Sequence, residues 1–143
     1  MKNLIVIALL SPFFAKAQFT IVNTSTTSLI ELRSGTWPVE LQRCIKESDT
    51  CYILSFRDQQ YPKDVNMSIL RFGNMQQLKY FQKGLSALKT GSNGDVAKFK
   101  EYTIKRMDAK KDGVWYLLTS SDGEITNFQQ NEADKLISAI KAM

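Results

Sequence analysis

Tyr52-Ile53-Leu54-Ser55 and Tyr116-Leu117-Leu118-Thr119 are the two stretches on which the fold turns. Each is an aromatic followed by aliphatics and a hydroxyl residue, bounded by polar connections, which is the pattern of a short strand with a buried face. The segments downstream of the two stretches are also alike. After the first come a polar connection from Arg57 to Lys63, an alternating run from Val65 to Phe72, and an amphipathic helix. After the second come the tight-hairpin signal Asp122-Gly123, a run from Glu124 to Phe128, and another amphipathic helix. Strands leading into a helix, twice over, predict an α+β domain with mainly antiparallel sheet. Its two βββα-like halves would cover about 37–91 and 95–143, within one globular domain from 37 to 143.

Working outward, Cys51 to Phe56 is the strand that carries the first stretch, and Val39 to Ile45 reads as the strand before it. Before that, 18–36 reads as an N-terminal arm and first short strand: Gln18 to Thr27 forms a loose arm or an irregular first strand, and Leu29 to Leu32 is a short strand. Ser34-Gly35-Thr36 breaks this strand, and Trp37-Pro38 marks a turn or a sheet edge, because proline cannot donate to a ladder. In the second half, Ala97 to Met107 is expected as one long strand, with Asp112-Gly113 in the turn before the next. Val114 to Thr119 is expected as a strand of buried type. The first helix has Asn74 as N-cap and Gln77 three residues on, close to a capping box. Met75, Leu78, Phe81, Leu85 and Leu88 then form one apolar stripe, and Gly91 is a natural stop. The closing helix carries Ala133, Leu136, Ile137 and Ile140 on one side.

The chain has two cysteines, Cys44 and Cys51, and no histidine. Lys46 to Thr50 between them has a turn composition. Pairing the flanking strands so that Ile45 faces Thr50 sets Cys44 opposite Cys51, within the reach of a disulfide. Two thiolates with no histidine make a poor metal site, so neither a metal nor another cofactor is expected.

The first residues account for that pairing. Lys2 is followed by the apolar run Leu4 to Leu10, and Ala15-Lys16-Ala17 offers the small residues that signal peptidase reads. From Leu4 to Ala15 the run is shorter than the roughly 20 residues a spanning helix needs, and Pro12 interrupts it. Residues 1–17 therefore read as a cleavable signal peptide, cut between Ala17 and Gln18, which directs the chain to a periplasm or out of the cell. Export to an oxidising compartment favours the disulfide. Of the 143 residues, 126 would remain, with 17 Lys and Arg against 14 Asp and Glu once Lys2 and Lys16 are gone. This net charge of +3 gives solubility but is too mild to mark a nucleic-acid binder.

The strand-then-helix repeat, carried by Tyr52 to Ser55 and Tyr116 to Thr119, resembles the layout of Whirly-type and Pur-type single-strand-binding domains. The resemblance implies a nucleic-acid surface. Basic residues do interleave with aromatics in Lys79-Tyr80-Phe81-Gln82-Lys83 and Lys98-Phe99-Lys100-Glu101-Tyr102, as single-strand binding requires. Against it, Phe81 lies on the apolar stripe of its helix. Lys105, Arg106, Lys110 and Lys111 are diluted by Asp108 and Asp112, and export removes the usual ligands. Catalysis has little to build on: without histidine, Ser-His and Cys-His pairs are excluded. Glu31, Glu40, Asp58 and Asp64 could supply a carboxylate-based hydrolase, but they sit in no motif, and Arg57-Asp58 reads as a turn-stabilising pair. The composition favours a non-enzymatic module that binds a protein or another envelope component. Its candidate contact surface is Trp37, Pro38, Arg57 and Tyr61.

Overall fold

The computed structural model of the chain describes residues 24–60, 63 and 67–143. The signal segment, the Ala17–Gln18 junction, Tyr61, Asp64 and Val65 lie outside the described residues. Four strands, β1 (Thr24–Arg33), β2 (Val39–Lys46), β3 (Asp49–Arg57) and β4 (Met67–Phe72), precede helix α1 (Met75–Lys89). Four more, β5 (Val96–Phe99), β6 (Tyr102–Ala109), β7 (Gly113–Ser120) and β8 (Ile125–Gln129), precede helix α2 (Gln130–Lys141). Each set of four is an antiparallel meander in chain order.

The stretches Tyr52 to Ser55 and Tyr116 to Thr119 occupy equivalent places. Tyr52 in β3 pairs with Phe72, and Tyr116 in β7 pairs with Phe128. Two residues on, Leu54 pairs with Leu70 and Leu118 with Thr126. All of these point into the core, where Thr126 carries a buried hydroxyl without a hydrogen-bond partner. The helices start where their caps dictate. The Asn74 side chain accepts from the Gln77 backbone N–H at 2.9 Å, and the Gln77 side chain reaches back to the Gly73 N–H. Leu78, Phe81, Leu85 and Leu88 of α1 and Ala133, Leu136, Ile137 and Ile140 of α2 are buried. Each helix packs on the other and on strands of both sheets, so both halves share one hydrophobic core.

Three expectations need correction. The loose-arm reading of the N-terminal residues gives way to the irregular strand: β1 runs as a ladder from Thr24, paired with Lys46, to Arg33, paired with Val39, with register shifts after Ser28 and Glu31. Backbone pairing with β2 outweighs the weak local pattern of Thr24 to Ser28. The long strand Ala97 to Met107 is instead a hairpin, with Phe99 opposite Tyr102 and Lys100 at φ 51°. No glycine or asparagine marks that turn, so the usual hairpin signal is missing. The second sheet thus has four strands rather than three. Finally, β7 is buried on one face only: Tyr116, Leu118 and Ser120 face the core, while Trp115, Leu117 and Thr119 are half-buried on the other side. At Gly91 the issue is space rather than dihedral freedom. A Cβ there would meet the Asp95 carboxylate at 2.5 Å, and that carboxylate accepts from the Ser92 N–H at 2.7 Å.

Cys44 and Cys51 form a disulfide across the β2–β3 hairpin, with Cα atoms 4.9 Å apart and Ile45 facing Thr50 as expected. Among the described residues no helix is long and apolar enough to cross a membrane.

Candidate functional site

The two tryptophans of the chain, one from each half, line a single cleft of about 590 Å³. Trp37 comes from the β1–β2 connection and Trp115 from the outward face of β7. Arg33, Gln59, Asn127, Gln129 and Glu132 complete the lining. The cleft forms where the first sheet meets β8 and the start of α2. Three sets of polar contacts build it.

The first is an ion pair. Arg33 donates through Nε to Glu132 Oε1 at 2.9 Å and through Nη2 to Oε2 at 2.6 Å, and also reaches the Asn127 carbonyl at 3.0 Å. A register irregularity between Glu31 and Arg33 falls just before Arg33, which is paired with Val39 at the end of β1, as bulges commonly re-aim a side chain. Glu132 is buried, and it also accepts from the Gln129 N–H at 2.8 Å in the first turn of α2. There its charge complements the positive end of the helix dipole.

The second set runs along the edge of β8. Gln59 N–H donates to the Ile125 carbonyl at 2.8 Å, Ile125 N–H donates to Asp58 Oδ1 at 2.9 Å, and Asn127 Nδ2 donates to Gln59 Oε1 at 3.0 Å. Asp58 Oδ1 also accepts from the Gln60 N–H. Asp58 is therefore a latch that joins the segment after β3 to the second sheet and covers its edge strand, which blunts an otherwise unpaired ladder.

The third set orients Trp37. The Arg57 guanidinium lies 4.9 Å from the indole centroid, donates to the Thr36 carbonyl at 3.0 Å, and its backbone N–H donates to the Pro38 carbonyl at 3.3 Å. Trp37, Pro38 and Arg57 are thus brought together as one surface; Tyr61 lies outside the described residues. Arg57 covers the indole without lining the cleft.

The remaining candidates are dispersed. Glu31 and Glu40 face each other across β1 and β2, and Glu40 accepts from Gln42 Nε2 at 2.8 Å. Neither lines the tryptophan cleft. The two basic-aromatic segments do meet: Tyr80, Lys83, Lys98 and Phe99 line a groove of about 340 Å³ between α1 and the β5–β6 hairpin. Phe81, Phe99 and Tyr102 are buried, however, and only Tyr80 of those aromatics is exposed, at 63 %. Phe81 and Phe99 belong to a core ring cluster with Phe72, centroids 5.2 to 5.8 Å apart. Arg106 is spent as a cap, donating to the Leu88 and Lys89 carbonyls at the end of α1 and to Asp108.

A second seam joins the halves at Glu124, which accepts from Ser68 Oγ at 3.0 Å and from the Tyr102 hydroxyl at 2.9 Å. Burial raises the Tyr102 phenol well above its ordinary value, and the hydrogen bond to Glu124 and the negative charge of Glu124, Glu101 and Asp122 push it further.

Reading the sequence missed Arg33, Gln59, Trp115, Asn127, Gln129 and Glu132. For Trp115 a signal existed: Tyr116 and Leu118 alternate as core residues, which turns Trp115 and Leu117 to the other face. For the others the site depends on how the sheets meet. No protein-family model matches the chain, and no curated protein is detectably similar to it in sequence.

Proposed function

We propose that the chain is an exported, non-enzymatic binding module that holds its ligand or partner in the cleft between Trp37 and Trp115. The observation that carries this reading is the convergence of both tryptophans, one from each half, on one preorganised cleft. Large indole surfaces with a polar handle are what binding sites favour. Binding rather than turnover is supported by the state of Glu132. Its carboxylate is committed to Arg33 and to the Gln129 N–H, which leaves it without the freedom of a general acid. The export component rests on the leader-like residues 1–17 and is supported by the disulfide.

The test is retention on separated envelope fractions. The parent protein should be retained on at least one fraction, and the Trp37→Ala/Trp115→Ala variant should be largely lost from it. Equal retention of the two proteins on every fraction overturns the reading. Intact mass of the protein recovered from the producing cell tests export: a chain starting at Gln18 supports it, and an uncleaved chain in the cytoplasm refutes it.

A second reading, single-strand nucleic-acid binding, is favoured by the meeting of Lys83 and Lys98 beside exposed Tyr80. It predicts salt-sensitive retention on an oligo-dT column that Tyr80→Ala weakens. Retention unchanged by Tyr80→Ala argues against that surface.

A further inference from the structure

We infer that the tryptophan cleft takes an uncharged saccharide; this rests on the binding-module reading and names its ligand class. Charge narrows the choice first. Arg33 and Glu132 are the charged side chains that line the cleft, and they neutralise each other in a two-pronged pair at 2.6 and 2.9 Å. With Nε and Nη2 of Arg33 committed to Glu132 and to the Asn127 carbonyl, little remains to recognise a phosphate or a carboxylate. The exposed lysines beside Tyr80 stand at another groove. An anionic ligand would therefore be desolvated in the tryptophan cleft beside a lining cation, Arg33, that is already paired with Glu132.

What the cleft does offer is neutral and two-faced. Gln59, Asn127 and Gln129 supply primary amides, each carrying a donor NH2 and an acceptor oxygen. Because Asn127 Nδ2 donates to Gln59 Oε1 at 3.0 Å, the pair is oriented with the Gln59 nitrogen left to donate and the Asn127 side-chain oxygen left to accept. A sugar hydroxyl needs both functions, as it is donor and acceptor at once. The rest of a pyranose is a C–H face that stacks on an indole, and two indoles, Trp37 and Trp115, line this cleft. At about 590 Å³ the cleft lies within the roughly 300–1,000 Å³ typical of small-ligand sites. A proline-rich peptide also seeks aromatic grooves, but its backbone carbonyls accept only. It would leave the amide acceptors of the cleft unsatisfied, which costs binding energy. The ion pair, the Asp58 latch and the Arg57 stack hold the lining in place before the ligand arrives, which lowers the ordering cost of binding.

Because both tryptophans of the chain stand in the cleft, intrinsic fluorescence reads it directly. The full chain is titrated with neutral tetrasaccharides of β-1,4-linked glucose, β-1,4-linked N-acetylglucosamine and α-1,4-linked glucose, and separately with a proline-rich peptide and oligo-dT. We expect at least one tetrasaccharide to give a saturable change that is insensitive to salt. Trp115→Ala should weaken it about tenfold, the scale of one lost stacking contact. Trp115→Phe, which keeps a ring at the same place, should restore most of the affinity and separates stacking from a folding defect.

Several results overturn the inference. These are no saturable change with any of the three sugars up to millimolar concentration, a response that collapses as salt is raised, an affinity unchanged in Trp115→Ala, or saturation by the peptide or oligo-dT alone. If the sugars fail while Trp37→Ala/Trp115→Ala still loses envelope retention, the saccharide inference falls and the binding-module reading stands. If that retention is also unchanged, both fall.

Discussion

Replacing Glu132 with alanine removes a carboxylate that accepts two bonds from Arg33 and one from the Gln129 N–H. A hydrogen bond to a charged group contributes about 1.5–3 kcal/mol, and breaking a fully buried pair costs about 3–5 kcal/mol because a charge is stranded. The Glu132 side chain is 10 % exposed and that of Arg33 25 %. Water can therefore reach the orphaned guanidinium, and the cost belongs below the fully buried range. Adding the lost dipole and cap contacts of α2, we expect about 2–3 kcal/mol. For a domain of this length, each kcal/mol lowers Tm by about 3–5 °C, so the variant should melt about 6–15 °C earlier. The assay is urea unfolding followed by far-UV circular dichroism and by tryptophan fluorescence, whose coincidence checks two-state behaviour. The double variant Arg33→Met/Glu132→Leu should recover much of the loss, because two apolar side chains strand no charge. A cost under about 0.5 kcal/mol for Glu132→Ala, as for a solvated surface pair, would refute the reasoning. So would additive effects in the cycle, since residues in direct contact should couple.

Three further outcomes are expected. Cys44→Ser/Cys51→Ser should lose about 2–3 kcal/mol in urea unfolding, the closure entropy of the short loop that the disulfide spans; a loss below about 1 kcal/mol would mean that the hairpin is held by its ladder alone. Thr126→Val fills the same volume without the unpartnered buried hydroxyl and should gain about 1 kcal/mol; a destabilised variant would show that the hydroxyl has a partner in solution. The Tyr102 phenol is held above its ordinary value of about 10 by burial and by Glu124. Below that pH the phenol is protonated in both states; above it the unfolded chain releases the proton first, so stability falls as pH rises. Tyr102→Phe should flatten this alkaline decline relative to the parent, measured as urea midpoints from pH 9 to 11.5, roughly the window above the ordinary value. Parallel curves for the two proteins would refute the assignment.

Much of the secondary structure was legible without coordinates, because local physics writes it. Asn74 and Gln77 announce a helix start through groups only three residues apart, and a 3.6-residue period exposes the stripe from Leu78 to Leu88. The turn between Cys44 and Cys51 sets the hairpin register and with it the disulfide. The likeness of Tyr52 to Ser55 and Tyr116 to Thr119 likewise placed β3 and β7, since both must bury the same alternating face. Where local signals are weak the reading failed or stayed open: Lys100-Glu101 turns a hairpin without glycine, and pairing with β2 decides for the strand over the loose arm at Thr24 to Ser28.

The candidate site belongs to the other category. Trp37 was visible as a surface turn, yet what it faces was not. Arg33 and Glu132 stand 99 positions apart, and Asn127 and Gln59 68. No period or motif links residues at such separations. They meet because the shared core docks each helix on both sheets and Asp58 fastens the end of β3 to β8. From sequence alone came the two halves of strands followed by a helix and the disulfide, both set by neighbours along the chain. The cleft, its neutral charge and its pair of tryptophans were decided by tertiary structure, because they exist only once two separately encoded sheets share one core.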